Sequence, residues 1–172
     1  MLKFSVSILD KKFTQNKLRY LIQCLLASLT LVAILVFLNV LTETALIAAL
    51  GSSAFTVFAL PNKYVSDPRR LLGGYAVGMT IGIAFSLSST FLAELFSIDN
   101  QITQLIIFGA LAVGLSIFVM VITNTEHAPA AGIALGLVLN PWSTLTLLFI
   151  LGAILWLAVV RHLLRPWLIN LT

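Results

Sequence analysis

The sequence predicts an all-α integral membrane protein: a six-segment helical bundle built as two inverted three-helix repeats, with one short helix in each. Three observations predict it. Of 172 residues, 60% are hydrophobic and only 9% are charged, whereas a soluble domain carries roughly 25% charged residues; mean hydropathy is +1.08. The apolar residues gather into six segments, most of them close to the ~20 residues that suit a bilayer core. Every Lys and Arg falls before residue 20, within 61–70, or from Arg161 onward, and six crossings put those three places on one side, as the positive-inside rule requires. The formal charge of +4 therefore reads as topology and not as nucleic-acid binding. The single cysteine, Cys24, allows no intrachain disulfide.

Residues 1–19 read as a cytoplasmic basic tail, with Lys3, Lys11, Lys12, Lys17 and Arg19 among apolar residues that suit a lipid surface. Residues 20–161 form the transmembrane domain, and residues 162–172 a second cytoplasmic tail. Leu21–Val40 is the first span, with Tyr20 as an interfacial anchor; the run is too long for the core of a cleaved signal peptide. Ala45–Leu60 is short, contains Gly51-Ser52-Ser53 and ends at Pro61. Leu71–Phe96 is long and sets Gly74, Gly78, Gly82 and Ser86 on one helix face, a surface that lets another backbone come close or that walls a pore. Ile102–Ile122 is the fourth segment, Ala128–Leu139 the short fifth and Trp142–Val160 the last, after the break at Asn140-Pro141.

Six crossings leave Glu43, Glu94 and Asp99 on the outer side, away from every basic residue. A rival arrangement has four long spans, with Ala45–Leu60 and Ala128–Leu139 re-entering from one side. It would strand the basic 61–70 loop outside. The fifth segment covers only about 18 Å of a core about 30 Å thick, so non-helical chain buried in protein has to complete its crossing.

The stretch Asn124-Thr125-Glu126-His127-Ala128-Pro129 places an acid, an imidazole and a proline inside this apolar chain. Proline fits the first turn of a helix, and Asn124 and Thr125 are residue types that serve as N-caps. A helix start of this kind faces an anion or a water-filled cavity more readily than lipid. The two halves repeat an order: long span, Thr-Glu, short Ala/Gly-rich segment, proline, long span. Thr42-Glu43-Thr44-Ala45 aligns with Thr125-Glu126-His127-Ala128, and the same register sets Ala49 against Gly132. Three crossings per half make such repeats inverted, an arrangement that points to a transport pathway at their interface.

The chain resembles the HPP family of small integral membrane proteins from about residue 20 to 160. Leu46-Ile47-Ala48-Ala49-Leu50-Gly51-Ser52-Ser53-Ala54 is similar to that family's Gly-Ser-x-Gly-Ala-Ser-Ala stretch. Asp67-Pro68-Arg69-Arg70 and Gly73-Gly74-Tyr75 resemble its Gln-Pro-Arg-Asn and Gly-Gly-His elements. His127-Ala128-Pro129-Ala130 stands where the family carries His-Pro-Pro-Ala. Ala48-Ala49 departs from Gly-Ser, Arg70 from Asn, Tyr75 from His and Ala128 from the first proline. The resemblance implies membrane transport, with nitrite as the substrate linked to some members, although the family is usually described as four-span.

The expected function is thus a transporter or channel for a small inorganic anion, with its pathway at the two short-helix motifs. Helix starts at Gly51-Ser52-Ser53 and at His127-Ala128-Pro129 can offer free N–H groups and hydroxyls to an anion. The candidate substrate-binding residues are His127, Pro129, Asn124, Thr125, Gly51, Ser52, Ser53 and Arg69; Glu126, Glu43 and His127 are the candidates for proton coupling. Each has a plainer reading as a cap, a backbone-bonded hydroxyl, a topology signal or a solvated acid. No catalytic motif, metal-ligand spacing or nucleotide loop occurs, so neither enzyme activity nor a cofactor is expected. The partners expected are a small inorganic anion, the lipid bilayer (a bacterial inner membrane, both termini cytoplasmic) and further copies of the chain. The competing readings are a non-transporting scaffold or regulatory protein and a proton or cation pathway.

Overall fold

The computed structural model describes residues 15–38, 44–96 and 101–171. Glu43 and Asp99 lie outside the described residues, as does the tail before residue 15. Among the described residues the regular structure is six α-helices: α1 (Lys17–Leu38), α2 (Thr44–Ala59), α3 (Pro68–Phe96), α4 (Gln101–Ile122), α5 (Ala128–Leu139) and α6 (Thr144–Leu164), with a 3-10 turn at Tyr64–Ser66 between α2 and α3. The stretches 68–95, 102–122 and 144–164 are long and apolar enough to cross a membrane, and Leu46–Ala59 and Ala128–Leu139 are shorter apolar helices. In α1 no charged residue follows Arg19. The bounds of α5 are those the sequence predicts. Pro141 ends its run, and Ser143 starts α6 through a reciprocal capping box with Thr146.

Long-range hydrogen bonds fix which helix ends lie together. Gln23 Nε2 donates to the carbonyls of Phe58 (2.8 Å) and Ile169 (2.9 Å), and Tyr20 OH donates to Leu171 O (2.7 Å). Arg161 donates to Pro61 O (3.0 Å) and Arg69 to Thr123 O (3.3 Å). So the start of α1, the end of α2, the start of α3, the end of α4 and the end of α6 share one end of the bundle, which also carries the basic 61–70 segment. At the other end Trp142 Nε1 donates to Ser86 Oγ (2.9 Å), and Gln104 donates to the carbonyl of Ser89. Successive helices therefore alternate in direction. α2 passes from one end to the other and does not double back, and the basic 61–70 segment lies at the same end as the start of α1 and the end of α6.

The core lies where α2, α3, α5 and α6 meet, around Leu50, Val57, Leu71, Ile133, Leu137, Ile150 and Leu157. α5 is the innermost helix, packed most extensively on α3, then on α4 and α2. The small residues of α3 make this possible. A methyl group at Gly74 would lie 2.6 Å from His127 Cβ, and one at Gly82 would lie 2.9 Å from the backbone of Ala134. At Gly78 it would run into the carbonyl of Ala130. α3 and α5 thus run side by side in the same direction, backbone against backbone, and the glycine face serves packing inside the bundle and does not line a pore.

Two sequence expectations need correction. Gly51-Ser52-Ser53 lies in the interior of α2 and is not a helix start; the alanine-rich segment before it is already helical, so those amides are spent inside the helix. Asn124 and Thr125 are not the N-caps of α5, whose N-cap is His127.

Candidate functional site

The site is built at the turn from α4 into α5. Asn124 has φ 56, a left-handed conformation that asparagine tolerates better than most residues. Its N–H bonds Val121 O (3.2 Å), and the N–H of Thr125 bonds Met120 O (2.9 Å). This is a Schellman closure of α4 with asparagine at the left-handed position. Asn124 therefore caps the end of one helix, where the sequence had it starting the next. Beyond it the chain turns inward: Thr125 and His127 are both buried. Three non-helical residues, two of them buried, thus lead into a helix only about 18 Å long.

His127 is the N-cap of α5 by backbone conformation, but its side chain makes no capping bond. Pro129 is buried in the first turn, where its missing N–H costs nothing. The His127 imidazole is free to reach across to α2, and its Nε2 lies 2.9 Å from Ser53 Oγ. Ser53 Oγ is also 2.8 Å from Tyr75 OH, which reaches Ala49 O at 3.4 Å. The rings of Tyr75 and His127 lie 5.6 Å apart between centroids, tilted by 40°. Ser53 and Tyr75 are fully buried and His127 is 3% exposed. Three helices therefore bring one polar side chain each to a closed, formally uncharged cluster inside an apolar core. Ser53 stands six residues before the end of α2 and Tyr75 seven after the start of α3. At 1.5 Å per residue that is about 10 Å from the basic end, short of the midplane.

Hydrogen-bond directions in the cluster are reversible. The chain can run from Tyr75 through Ser53 to a lone pair on Nε2, or from an Nε2 proton through Ser53 and Tyr75 to the Ala49 carbonyl. Both satisfy every hydroxyl, because serine and tyrosine each donate one proton and accept another.

A second cluster closes the basic end above the first. Arg70 forms an ion pair with Glu126, donates to Asn124 Oδ1 (2.5 Å) and lies 4.7 Å from the ring centroid of Tyr64. Arg69 is exposed and binds the Thr123 carbonyl. Among the other candidates, Ser52 is exposed on the outer face of α2, and Gly51 has open space beside it. Thr125 bonds Thr123 (2.8 Å between hydroxyls). The structure thus gathers His127, Ser53 and Pro129 at the buried cluster, and Asn124, Thr125, Glu126 and Arg69 at the basic end. Gly51 and Ser52 belong to neither.

Two participants had no place among the sequence candidates. Tyr75 and Arg70 stood out only as departures from the motifs the chain resembles. The available signal for Tyr75 was its position inside a span, where a buried hydroxyl needs a partner. For Arg70 it was the acid at Glu126, which a membrane-embedded stretch tolerates best when paired.

A family model described as HPP, transmembrane region, matches residues 13–170. No curated protein and no solved structure matches the chain.

Proposed function

The chain belongs to the HPP transmembrane family, and from that premise we propose that it is a transporter or channel for a small inorganic anion, with nitrite the first substrate to test. The observation that carries this reading is the buried Ser53–Tyr75–His127 cluster. A polar side chain left unpaired in the core of an integral membrane protein costs about 1–3 kcal/mol; here three from different segments are gathered and paired with one another at the meeting point of the two short helices. Pro129 and the extended Thr125–His127 segment fix the imidazole there. The outer cluster of Arg69, Arg70, Asn124 and Glu126 forms the mouth. In this reading the basic end is cytoplasmic in a bacterial inner membrane, the chain works as a homo-oligomer, and nucleic acid is not a partner.

An inverted repeat belongs to the proposal. In the register that sets Thr42 against Thr125, residue 49 pairs with residue 132, and Ala49 Cβ lies 3.7 Å from the position of a methyl group on Gly132. A residue that touches its own counterpart is what a two-fold axis produces. Exchanging α1 with α4, α2 with α5 and α3 with α6 also turns each packed helix pair into another packed pair: α3–α5 into α2–α6, α4–α5 into α1–α2, α3–α4 into α1–α6.

A second reading draws on the 2.9 Å contact between Ser53 and His127, the spacing of a nucleophile and its base. Ser53 lacks the rest of a catalytic site: it sits mid-helix, where neighbouring amides are engaged and cannot form an oxyanion hole. A fluorophosphonate probe is expected to leave the protein unlabelled. A cation pathway is disfavoured because Glu126 is neutralised by Arg70.

The test is nitrite uptake into liposomes holding the purified protein. Uptake that needs the protein and falls at least tenfold in His127→Ala and Ser53→Ala, both still folded, supports the assignment. Unchanged uptake in both variants removes the site. No protein-dependent uptake of nitrite or any other small anion leaves the scaffold reading.

A further inference from the structure

A cavity of about 290 Å³ lies between α4 and the start of α5, with buried His127 on its wall. It opens on the flank of the bundle, beside exposed Ile117 and Val121. The rest of its wall is Met120, Ala128, Ala131 and Glu126. Any solute that approaches His127 from this side meets five apolar side chains and one carboxylate.

The charges around it leave no site for an anion. The α4 wall carries none. From α3 come Tyr75, which is neutral, and Arg70, whose guanidinium is engaged by Glu126 and Asn124. From α2 comes the Ser53 hydroxyl, already bonded on both sides. His127 is held in an apolar core against Ser53. A bare anion here would lose its hydration without gaining a cation, a cost of several kcal/mol, because the guanidinium of Arg70 is already paired with Glu126. The protonated acid of the same solute carries no charge, and its O–H or oxygen can exchange hydrogen bonds with the imidazole.

We propose that the solute passes this cavity as the neutral, protonated weak acid, so that each anion travels with one proton and no net charge crosses. This rests on the transport reading above. The balance is simple: the anion takes a proton from water on one side, the acid passes His127, and anion and proton part again in water on the other. No bond to the protein forms.

The probe is nitrite, added to proteoliposomes that hold a pH-sensitive dye, with protein-free liposomes giving the background leak of nitrous acid. The expected result is protein-dependent acidification of the lumen with one proton per nitrite, unchanged when potassium and valinomycin impose a membrane potential. Ile117→Trp, which fills the cavity from the lipid-exposed side, is expected to lower the protein-dependent rate at least fivefold with the melting temperature unchanged. Val121→Trp serves the same purpose if Ile117→Trp does not fold. Protein-dependent nitrite uptake that leaves lumenal pH unmoved and follows the imposed potential overturns the proposal while the transport reading stands. A full rate in a folded cavity-filling variant overturns the route. Absence of any protein-dependent uptake overturns both readings together.

Discussion

Ser53 holds two partners with one oxygen, so the members of the buried cluster do not contribute equally. Removing its hydroxyl leaves His127 Nε2 and Tyr75 OH each without that partner, whereas removing the Tyr75 hydroxyl leaves the Ser53–His127 bond intact. Ser53→Ala is therefore expected to cost about 1–3 kcal/mol, and Tyr75→Phe about 1 kcal/mol. Thermal denaturation in detergent checks this: equal losses, or a larger one for Tyr75→Phe, would contradict the geometry. Ser53 and His127 were legible in the sequence because a hydroxyl and an imidazole stand out among apolar residues. Tyr75 was not, since tyrosine is an ordinary residue near membrane interfaces and only the fold reveals that this one points inward. Asn124 was legible as a cap, but at the wrong helix, because asparagine serves both N-caps and left-handed C-terminal turns.

Among the elements, α5 was the most readable: its start at Ala128, its end at Leu139 and its need for an extended lead-in all follow from proline placement and length. α2 was harder. Gly51-Ser52-Ser53 looks like a helix start, yet the preceding alanines and leucines propagate the helix through it, and a 3.6-residue period turns Ser53 inward while leaving Ser52 outside. The glycine face of α3 carries a sharper prediction. Gly78→Ala pushes a methyl into the carbonyl of Ala130, which is expected to cost about 1–3 kcal/mol and to shift α5 enough to impair transport. Gly114→Ala and Gly152→Ala, with nothing within 4 Å of the new methyl, are expected to be neutral or slightly stabilising through helix propensity. Melting temperatures of the three variants distinguish them, and equal behaviour would mean that the α3–α5 contact is looser than described.

At the scale of the molecule, the charge partition predicts that the basic segments share one side, and among the described residues the start of α1, the 61–70 segment and the end of α6 do lie at one end of the bundle. What it could not give is how that end is tied together. Residues 165–171 turn back over the starts and ends of other helices: Gln23 bonds both Phe58 and Ile169, and the N–H of Leu171 bonds the Ala59 carbonyl. These contacts join segments nearly the length of the chain apart, and no local pattern announces them. Gln23→Leu keeps the volume but strips three hydrogen bonds from a residue 2% exposed. The expected loss is about 2–3 kcal/mol, with faster proteolysis after residue 164. A melting temperature equal to that of the parent would show that this end is held by other contacts.

The glycine-lined contact also bears on how the molecule is assembled mechanically. Gly74, Gly78 and Gly82 present no side chain to α5, and on its other flank Gly109 meets Leu135. At these glycines α3 has no side chain to hold α5 away, so the distance between the two helices is set by backbone contact. α5 is seated like a bolt, its shank gripped in the core by Ile133 and Leu137 and its head by His127 on Ser53 and Glu126 on Arg70. The contact at the imidazole is thus one of the fastenings of the innermost helix as well as part of the buried cluster.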